Sequence, residues 1–414
     1  MPTPRDSSPS CTDGNSPTPS SSPQTPAQAD RPPTNMRIAI VHYWLVGMRG
    51  GEKVIEALCR MYPQADIFTH VVAPERLSSM LAARHIRTSF IQRLPGSVRH
   101  YQKYLPLMPL ALEQFDLRDY DLVISSESGP AKGVLTRADT AHVCYCHSPM
   151  RYLWDFQQDY LDNASPLMRP FMRIFFHYLR QWDVASSQRV DRFVANSRNV
   201  ARRITKHWRR EATVVHPPVE CDLFTQAPDV ADLPDDEVAD IVRQGGYYLC
   251  LGQLVGYKRV DIAIEACRKA GRRLVVVGDG EQRAMLERNA PEGVTFLGWR
   301  TQDEIRALYA GCRALLFPGE EDFGIVPVEC MASGRPVIAY GKGGALETVL
   351  DGETGVLFHE QTATACHDAI MRHERMERDF VPDSLRRHAR TFDTSVFERK
   401  FRREVEAALH AVRG

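Results

Sequence analysis

The sequence predicts an α/β protein with two doubly wound, Rossmann-like domains in series. From Met36 onward, short runs of β-branched and other apolar residues alternate with longer amphipathic stretches. This alternation breaks at His216-Pro217-Pro218 and starts again at Tyr247. The length of 414 residues is sufficient for two domains of ordinary size.

The first half contributes five predicted strands, and we assign residues 36–217 to an N-terminal domain. The apolar run that begins after Met36 has the continuous pattern of a buried parallel strand. Apolar residues at helical spacing predict helices over 53–61 and 199–207. The predicted strands are 37–41, 122–125, 142–146, 192–195 and 213–215.

The second half repeats the pattern after a linker, which we assign to residues 218–245. Within it, the acidic stretch 229–240 is predicted to be poor in helix. A second domain over 246–385 contains predicted strands at 247–251, 273–277, 294–297, 314–317 and 336–339. Near-helical apolar spacing over 386–409 predicts a final helix, and we expect residues 386–414 to pack back on the N-terminal domain.

Two Rossmann-like domains in series form a cleft, because ligands bind at the carboxyl ends of parallel strands. Residues 1–35 are rich in Pro, Ser and Thr and have almost no large apolar residues. Such a segment cannot bury enough surface to order itself, so we expect a disordered tail without chemistry.

The charge balance excludes a general nucleic-acid binder, because the formal net charge is +0. The zero conceals an asymmetry of +8 over residues 36–220 and −7 over residues 221–414. A basic half suits an anionic acceptor or a membrane surface, and a chance distribution of surface charge is the alternative. A basic and aromatic helix at 169–182 either lies on a membrane or packs on its own domain.

The cysteines and apolar runs indicate the compartment. Ten cysteines include no CxxC pair, and the apolar run around Cys144 and Cys146 favours buried thiols over a zinc site. No secretory pattern and no run of about 18 apolar residues is present. We therefore expect a cytoplasmic protein with reduced thiols, in peripheral contact with the inner face of the membrane if the helix at 169–182 docks there.

The most specific motif follows the predicted strand 314–317. Glu321 and Glu329 are separated by seven residues, and Gly324 lies between them near a predicted helix start. Backbone N–H groups at a helix N-terminus hold phosphate or sugar hydroxyls, and carboxylates accept hydrogen bonds from hydroxyl pairs. The motif therefore predicts a site for a phosphorylated polyol.

This segment resembles the E-x7-E motif of retaining glycosyltransferases of family 4, which have the GT-B fold: two Rossmann-like domains face a cleft, and a C-terminal helix crosses back. The resemblance covers about residues 36–410. It also includes the stretches 47–52, 258–259, 277–280, 332–339 and 343–347.

The resemblance implies a role for each residue that matches the family's motifs. Glu329 would hold the ribose hydroxyls, Glu321 the transferred sugar, and Lys258 the diphosphate. The catalytic residues implied are His147, Glu321 and Lys258. The donor-binding residues implied are Gly50, Gly51, Gln253, Lys258, Arg259, Gly280, Phe323, Gly324, Ile325 and Glu329. Arg151 and Tyr152 are predicted to bind the acceptor, since aromatic faces stack on pyranose rings.

Charge arguments agree with these roles. Negative charge grows on the departing nucleoside diphosphate, and a lysine ammonium with helix-terminal N–H groups stabilises it without a metal. No carboxylate nucleophile is evident, and the resemblance implies that departure and attack occur on the same face of the sugar. No cofactor and no metal are expected, because the nucleotide sugar is itself the donor substrate.

The sequence departs from the family pattern at two positions. Gln253 stands where the family often has an arginine that contacts phosphate. Arg259, next to Lys258, is the candidate to supply the missing charge, and the sequence leaves open whether it does. Asp322 stands where many relatives have glycine.

Three further motifs have weaker functional interpretations. Asp119-Tyr120-Asp121 matches the DxD string of metal-dependent transferases, but it precedes a strand rather than following one. Gly278-Asp279-Gly280 is an incomplete dinucleotide fingerprint with possible phosphate contact. The stretch 125–129 is not a G-x-S-x-G motif and is interpreted as a loop at the end of a strand that lines the cleft.

We therefore predict a retaining, metal-independent transferase that moves a hexose from a nucleotide sugar to a glycan or lipid-linked glycan. The loop after His147 and the stretch 255–259 resemble bacterial enzymes of O-antigen or exopolysaccharide synthesis, several of which use GDP-mannose. The alternatives are a nucleotide-sugar epimerase or hydrolase of the same fold, and a non-catalytic regulator that binds sugar nucleotides.

Overall fold

The computed structural model describes residues 36–162 and 164–414, and the predicted tail over 1–35 lies outside the described residues. The described chain contains two parallel β-sheets of seven and six strands, with helices connecting successive strands. The predicted fold class of two doubly wound, Rossmann-like domains is confirmed.

The first sheet forms from the apolar runs of the N-terminal half. Its strands are β1 Ile38–His42, β2 Asp66–Thr69, β3 Ile86–Thr88, β4 Leu122–Glu127, β5 Ala141–Cys146, β6 Arg192–Ala195 and β7 Ala212–Val214, in the order β3-β2-β1-β4-β5-β6-β7. All pairs are parallel, and every residue of β1, β4 and β5 is buried. Burial on both faces explains why these strands have continuous apolar sequences.

The second sheet repeats this arrangement. Its strands are β8 Tyr247–Leu251, β9 Arg273–Val277, β10 Val294–Gly298, β11 Ala314–Phe317, β12 Val337–Tyr340 and β13 Gly355–Phe358, in the order β10-β9-β8-β11-β12-β13. Again all pairs are parallel.

The helices lie between the strands. The α-helices up to β8 are α1 Gly50–Met61, α2 Ser79–Ala82, α3 Met108–Glu113, α4 Arg151–Trp154, α5 Gln157–Asp162, α6 Arg169–Ser187, α7 Arg198–Trp208, α8 Cys221–Thr225 and α9 Asp236–Gln244. Those after β8 are α10 Val260–Ala270, α11 Arg283–Arg288, α12 Gln302–Gly311, α13 Ile325–Ala332, α14 Ala345–Thr348, α15 Ala363–Met376, α16 Pro382–Ala389 and α17 Thr394–Arg413. Short 3-10 helices are Pro74–Arg76, Phe90–Arg93, Tyr101–Leu107, Val230–Asp232, Gly256–Lys258, Glu377–Asp379 and Arg390–Phe392. None of the helices among the described residues is long and apolar enough to cross a membrane.

Two predictions about helices are wrong. The stretch 229–240 is not poor in helix, because Asp235 accepts hydrogen bonds from the N–H groups of residues 237 and 238 and thereby caps α9, which buries Val238 and Ile241. The segment 386–409 is not one helix. Asp393 adopts an extended conformation and accepts from the N–H of Ser395, so that α17 starts afresh after α16.

The last helix packs on the first sheet. Phe397 and Phe401 of α17 are buried, and their rings lie 5.6 and 6.0 Å from the Tyr145 ring of β5. Glu404 accepts a hydrogen bond from Arg192 of β6. The C-terminal helix therefore joins the first domain, although it follows the second in sequence.

In both sheets the strand order reverses near the centre, between β1 and β4 and between β8 and β11. The loops that leave the carboxyl ends of strands on either side of such a switch point diverge and leave a crevice between them. In this chain those loops carry most of the predicted site residues.

Candidate active site

The loops at the carboxyl ends of both sheets enclose one cleft of about 480 Å³. The first domain contributes Gly50, Gly51 and His147 to its lining, and the second contributes Lys258 and Glu321. This volume lies within the ordinary range for a small-molecule site, about 300–1,000 Å³. The structure thus brings together residues that are up to about 270 positions apart in sequence.

Lys258 and Glu321 form an ion pair at the floor of the cleft. Lys258 ends the short 3-10 helix after β8, and its Nζ donates to Glu321 Oε1 at 2.5 Å. The lysine side chain is 16% exposed. Burial opposes its positive charge, but the adjacent carboxylate of Glu321 outweighs burial and raises the pKa of Lys258. The site therefore contains a protonated amine at neutral pH.

A glycine allows this pair to form. A side chain at Gly319 would place its Cβ 2.8 Å from the Cα of Lys258. No other residue permits such a close approach of the loops after β8 and β11. Gln253 lies in the same small recess beside Lys258, in the position where the resemblance led us to expect a second phosphate cation.

Helix α13 begins at Ile325, shortly after Glu321 in sequence. Its N-cap, Gly324, has φ of +86°, a left-handed conformation that favours glycine. The preceding loop is fixed because the N–H of Gly344 donates to the carbonyl of Glu321 at 2.8 Å. Gly324 and Ile325 line the cleft, and the first N–H groups of a helix have no partner within it. The helix end thus offers N–H donors and a positive dipole beside Lys258.

Glu329, the second glutamate of the motif, lies one turn into α13 and is buried. Its Oε2 accepts from Tyr309 Oη at 3.0 Å, and its Oε1 accepts from Lys53 Nζ at 2.8 Å. Lys53 belongs to α1, so this ion pair connects the two domains. Both residues line a second cavity, of about 210 Å³, next to Gln302.

His147 follows β5 on the opposite wall. Its backbone N–H donates to the carbonyl of Glu127 at 2.8 Å, and its ring Nε2 lies 2.9 Å from Ser126 Oγ. Burial, and to a smaller extent the nearby His42, lowers the pKa of His147 to about 3. The imidazole is consequently neutral across the physiological range. Gly51 packs against it, since a Cβ there would lie 3.8 Å from Nε2.

The two predicted acceptor residues form the first turn of α4 and line the cleft. The guanidinium of Arg151 lies 4.4 Å from the centre of the Phe156 ring and 5.5 Å from that of Tyr257. Tyr152 stands next to it and is half-buried. A cation framed by aromatic faces suits a sugar that carries negative charge.

Two predicted donor residues have other contacts. Arg259 forms a two-pronged hydrogen bond with Asp261 on the surface and is absent from the cleft lining. It therefore does not replace the missing arginine at Gln253 in this structure. The N–H of Gly280 donates to its neighbour Asp279, and a Cβ at Gly280 would lie 2.3 Å from the carbonyl oxygen of Leu254. Its donor-binding role stays a prediction.

Two carboxylates that the motif analysis did not assign connect the domains. Asp322 accepts from Arg203 Nη1 of α7 at 2.8 Å, and Arg151 Nη1 lies 3.8 Å from it. The sequence showed Asp322 only as a departure from glycine. Glu347 accepts from the N–H groups of Arg198 and Asn199 at 2.9 and 3.2 Å and so caps α7 across the interface.

Of the weaker motifs, Asp119-Tyr120-Asp121 lies away from the cleft, whereas Ser128 of the stretch 125–129 lines it. Asp119 pairs with Arg37, and Asp121 accepts from the Arg37 N–H, both at the amino end of β4. Within residues 36–162 and 164–414, no group of three or more His, Cys, Asp and Glu residues is arranged to hold a metal ion. Cys144 and Cys146 are buried and unpaired in disulfides, and burial raises the pKa of both thiols.

The cleft carries Lys258, Glu321 and the N-terminus of α13 on one wall and His147 on the other, an arrangement that suits an anionic ligand with hydroxyl groups. Two family models match the chain: Glycosyltransferase Family 4 over residues 48–223 and Glycosyl transferases group 1 over residues 235–390. The chain is a glycosyltransferase of the GT-B fold and is similar to family 4. The predictions of an enzyme and of a glycosyltransferase are confirmed.

Relatives extend this result. The chain is 37% identical over 138 residues to glycogen synthase of Pseudomonas aeruginosa, covering 31% of this chain and 27% of that protein. It is 31% identical over 200 residues to D-inositol 3-phosphate glycosyltransferase of Mycobacterium tuberculosis, covering 44% of this chain and 40% of that one. The matches thus span between about a quarter and about a half of the length of the curated relatives.

A solved structure shows the same fold over nearly the whole chain. Anabaena HepE in complex with UDP and glucose superposes with a TM-score of 0.67 at 17% identity. The similarity covers 90% of this chain and 100% of HepE.

Proposed function

We propose that the protein transfers a hexose from a nucleotide sugar to an acceptor hydroxyl, with retention at the anomeric carbon and without a metal ion. The observation that carries this proposal is the Lys258–Glu321 pair beside the N-terminus of α13, across the cleft from His147. It supplies positive charge at the site where a leaving diphosphate gains negative charge.

Donor binding would exchange the partners of this pair. The diphosphate accepts hydrogen bonds from the ammonium of Lys258 and from the N–H groups of α13. The carboxylate of Glu321 is then free to accept hydrogen bonds from sugar hydroxyls. As the bond between the anomeric carbon and the diphosphate oxygen breaks, the electron pair leaves with the diphosphate. The acceptor oxygen then bonds the anomeric carbon from the same face, and its proton passes to the departing phosphate.

The contacts of the cleft carboxylates support attack from the same face. Among the described residues, the carboxylates that line the cleft are Glu321 and Asp322. Asp322 is held by Arg203, and Glu321 is engaged first by Lys258 and then, in the donor complex, by the sugar hydroxyls. A double-displacement route needs a free carboxylate close to the reacting carbon. Proton NMR of the first-formed product from an α-linked donor tests the stereochemistry: an α-linkage supports retention, and a β-linkage refutes it.

The donor is proposed to be a nucleoside diphosphate hexose, with GDP-mannose as the first candidate because of the resemblance to O-antigen and exopolysaccharide enzymes. HepE was solved with UDP and glucose, so uridine donors form the second group to test. Thermal unfolding of the full chain with GDP, UDP and ADP sugars identifies the base. A ligand at about 100 times its Kd stabilises the protein by about 2.7 kcal/mol. A shift with one base that EDTA leaves unchanged supports the proposal, and no shift with any base refutes it.

The acceptor is proposed to be a glycan or lipid-linked glycan, presented at the inner face of the membrane during synthesis of a cell-surface polysaccharide. Helix α6 supports this proposal. Its side chains Phe171, Ile174 and Tyr178 share one face and are exposed, the first by 68%. Arg173 beside them is also exposed, and Asp183, the single acid of α6, is buried. Exposed apolar groups next to basic charge match an anionic membrane surface.

Vesicle flotation tests this surface. The full chain is expected to bind vesicles that contain anionic lipid, and Phe171→Ser with Ile174→Ser is expected to reduce binding at least tenfold while activity on a water-soluble acceptor is kept. Equal flotation of the double variant and the wild type would contradict the membrane proposal. Leu346→Ser, which changes an exposed apolar residue of the second domain, serves as the matched control.

A further inference from the structure

A line of buried polar groups leads from the interior of the first domain to His147. Ser126 Oγ of β4 lies 2.9 Å from His147 Nε2 and 3.0 Å from His42 Nδ1 of β1. On the other side of the His42 ring, Nε2 lies 4.0 Å from Glu52 Oε1 of α1. Glu52, His42 and Ser126 are all buried, and none of them belongs to the predicted site.

The charge of Glu52 sets the direction of the hydrogen bonds in this line. His42 Nε2 is fully buried and has no hydrogen-bond partner within the described part of the chain. A proton on Nε2 is attracted by the carboxylate of Glu52, whereas a bare lone pair there would face that carboxylate and be repelled. When the His42 ring carries one proton, that proton therefore resides on Nε2, and Nδ1 is an acceptor.

The remaining two bonds follow from this assignment. His42 Nδ1 accepts the hydroxyl hydrogen of Ser126, because a bare ring nitrogen cannot donate. The Ser126 oxygen has then given its only hydrogen and can only accept from His147. His147 Nε2 must supply that hydrogen, which leaves Nδ1 of the neutral ring without a proton. His147 lines the cleft, and among residues 36–162 and 164–414 the hydrogen bond of its ring is the one between Nε2 and Ser126 Oγ.

We propose that Glu52, His42 and Ser126 are positioning residues that hold His147 in the Nε2–H form, so that its bare Nδ1 accepts a hydrogen bond from a hydroxyl of the bound sugar or acceptor. The hydroxyl partner rests on the proposed function, whereas the position of the proton is a property of the protein alone. His147 acts as a fixed hydrogen-bond acceptor and not as a cation. A hydroxyl presented with its hydrogen toward Nδ1 is recognised, and a group that offers only lone pairs is rejected.

The test measures the proton position directly. Proteins carrying ¹⁵N in the histidine rings are compared by NMR, and the His147 signals are assigned by their loss in His147→Asn. Wild-type His147 is expected to show a protonated Nε2 and an unprotonated Nδ1 at neutral pH. In Ser126→Ala the Nε2–H loses its acceptor, so the proton is expected to redistribute toward Nδ1. Glu52→Gln is expected to mix the two forms, because it removes the charge that orients His42.

Kinetics provide the second readout. Ser126→Ala is expected to lower kcat/KM about tenfold, the effect of one lost buried hydrogen bond, and Ser126→Thr is expected to restore it because the hydroxyl is retained. Ser125→Ala is the matched control. Its Oγ lies 2.8 Å from His142 Nε2 and is equally buried, but it lies on the opposite face of the same strand. The control is expected to leave kcat/KM unchanged.

The outcomes separate the two proposals. A proton on Nδ1 of wild-type His147, or an unchanged tautomer in both Ser126→Ala and Glu52→Gln, would overturn the positioning role whatever the activity. If no donor supports transfer, the proposed function fails and the NMR result alone decides this inference. If Ser126→Ala loses no more activity than Ser125→Ala at equal thermal stability, the hydroxyl contact of His147 is refuted.

Discussion

Replacing Lys258 by methionine removes the ammonium that faces the proposed leaving group and keeps the length of the side chain. The interaction of two unit charges about 4 Å apart is worth about 4 kcal/mol at an effective dielectric constant of about 20, which suits a side chain that is only 16% exposed. Donors aimed at developing charge contribute about 2.7–4 kcal/mol in other enzymes. We therefore expect Lys258→Met to lower kcat by about 10²–10³-fold.

The assay follows release of the nucleoside diphosphate from the donor identified by thermal shift. Lys342→Met is the matched control, because Lys342 forms a comparable ion pair with Glu320, at 3.1 Å, while its own side chain is 58% exposed. It should leave kcat unchanged. Lys258→Met also leaves Glu321 without its partner, and a double variant with Glu321→Gln is expected to recover the lost thermal stability but no activity. A kcat for Lys258→Met within tenfold of the wild type, with folding intact, would refute the leaving-group argument.

Three further predictions concern the interface and the loops. Burial opposes the charge of Glu347, but hydrogen bonds from His216 and from the first N–H groups of α7 outweigh burial and lower the pKa of Glu347. The stabilisation from Glu347 should therefore be complete above the ordinary carboxyl pKa and be lost as the pH falls through the lowered pKa. The difference in Tm between Glu347→Gln and the wild type should disappear in acid. Asp322→Gly removes an interdomain ion pair and should increase the radius of gyration measured by small-angle X-ray scattering; an unchanged radius would contradict a bracing role. Gly278→Ala places Cβ 2.0 Å from a backbone oxygen at φ of +127°, and it should lower Tm far more than Gly293→Ala, where φ is +89° but the space around Cβ is open. Equal losses in Tm would show that the backbone strain of a positive φ, and not the steric clash, sets the cost.

The central strands could be predicted from the sequence because both of their faces are buried. The runs predicted at 247–251, 273–277 and 314–317 have the same bounds in the structure. Three strands were missed: β2, β3 and β13 have four, three and four residues, and β3 buries none of its side chains. Segments this short carry too few apolar positions to establish a period.

The site could be predicted only where its residues share one stretch of chain. Glu321 and Glu329 follow one strand, and their spacing together with Phe323-Gly324 and Pro327 between them makes the motif recognisable. The partners of this motif across the interface depend on how the two domains meet, which no local pattern encodes. For this reason Lys53, which pairs with Glu329, and Arg203, which explains the aspartate at 322, became evident only in the structure.

The two motif glutamates each hold a lysine in this structure, but the lysines come from different domains. Lys258 belongs to the same domain as Glu321, so a diphosphate can bind the ammonium of Lys258 without breaking a contact between the domains. Lys53 belongs to the first domain, and ribose hydroxyls that donate to Glu329 must compete with it for the same carboxylate. Under the proposed function, donor binding therefore weakens one contact between the domains, while Asp322 and Glu347 maintain theirs. Glu329 lies in α13, whereas Asp322 precedes α13 and Glu347 lies in α14. Because the interface loses one contact and keeps two others, donor binding is expected to pivot the domains rather than release them.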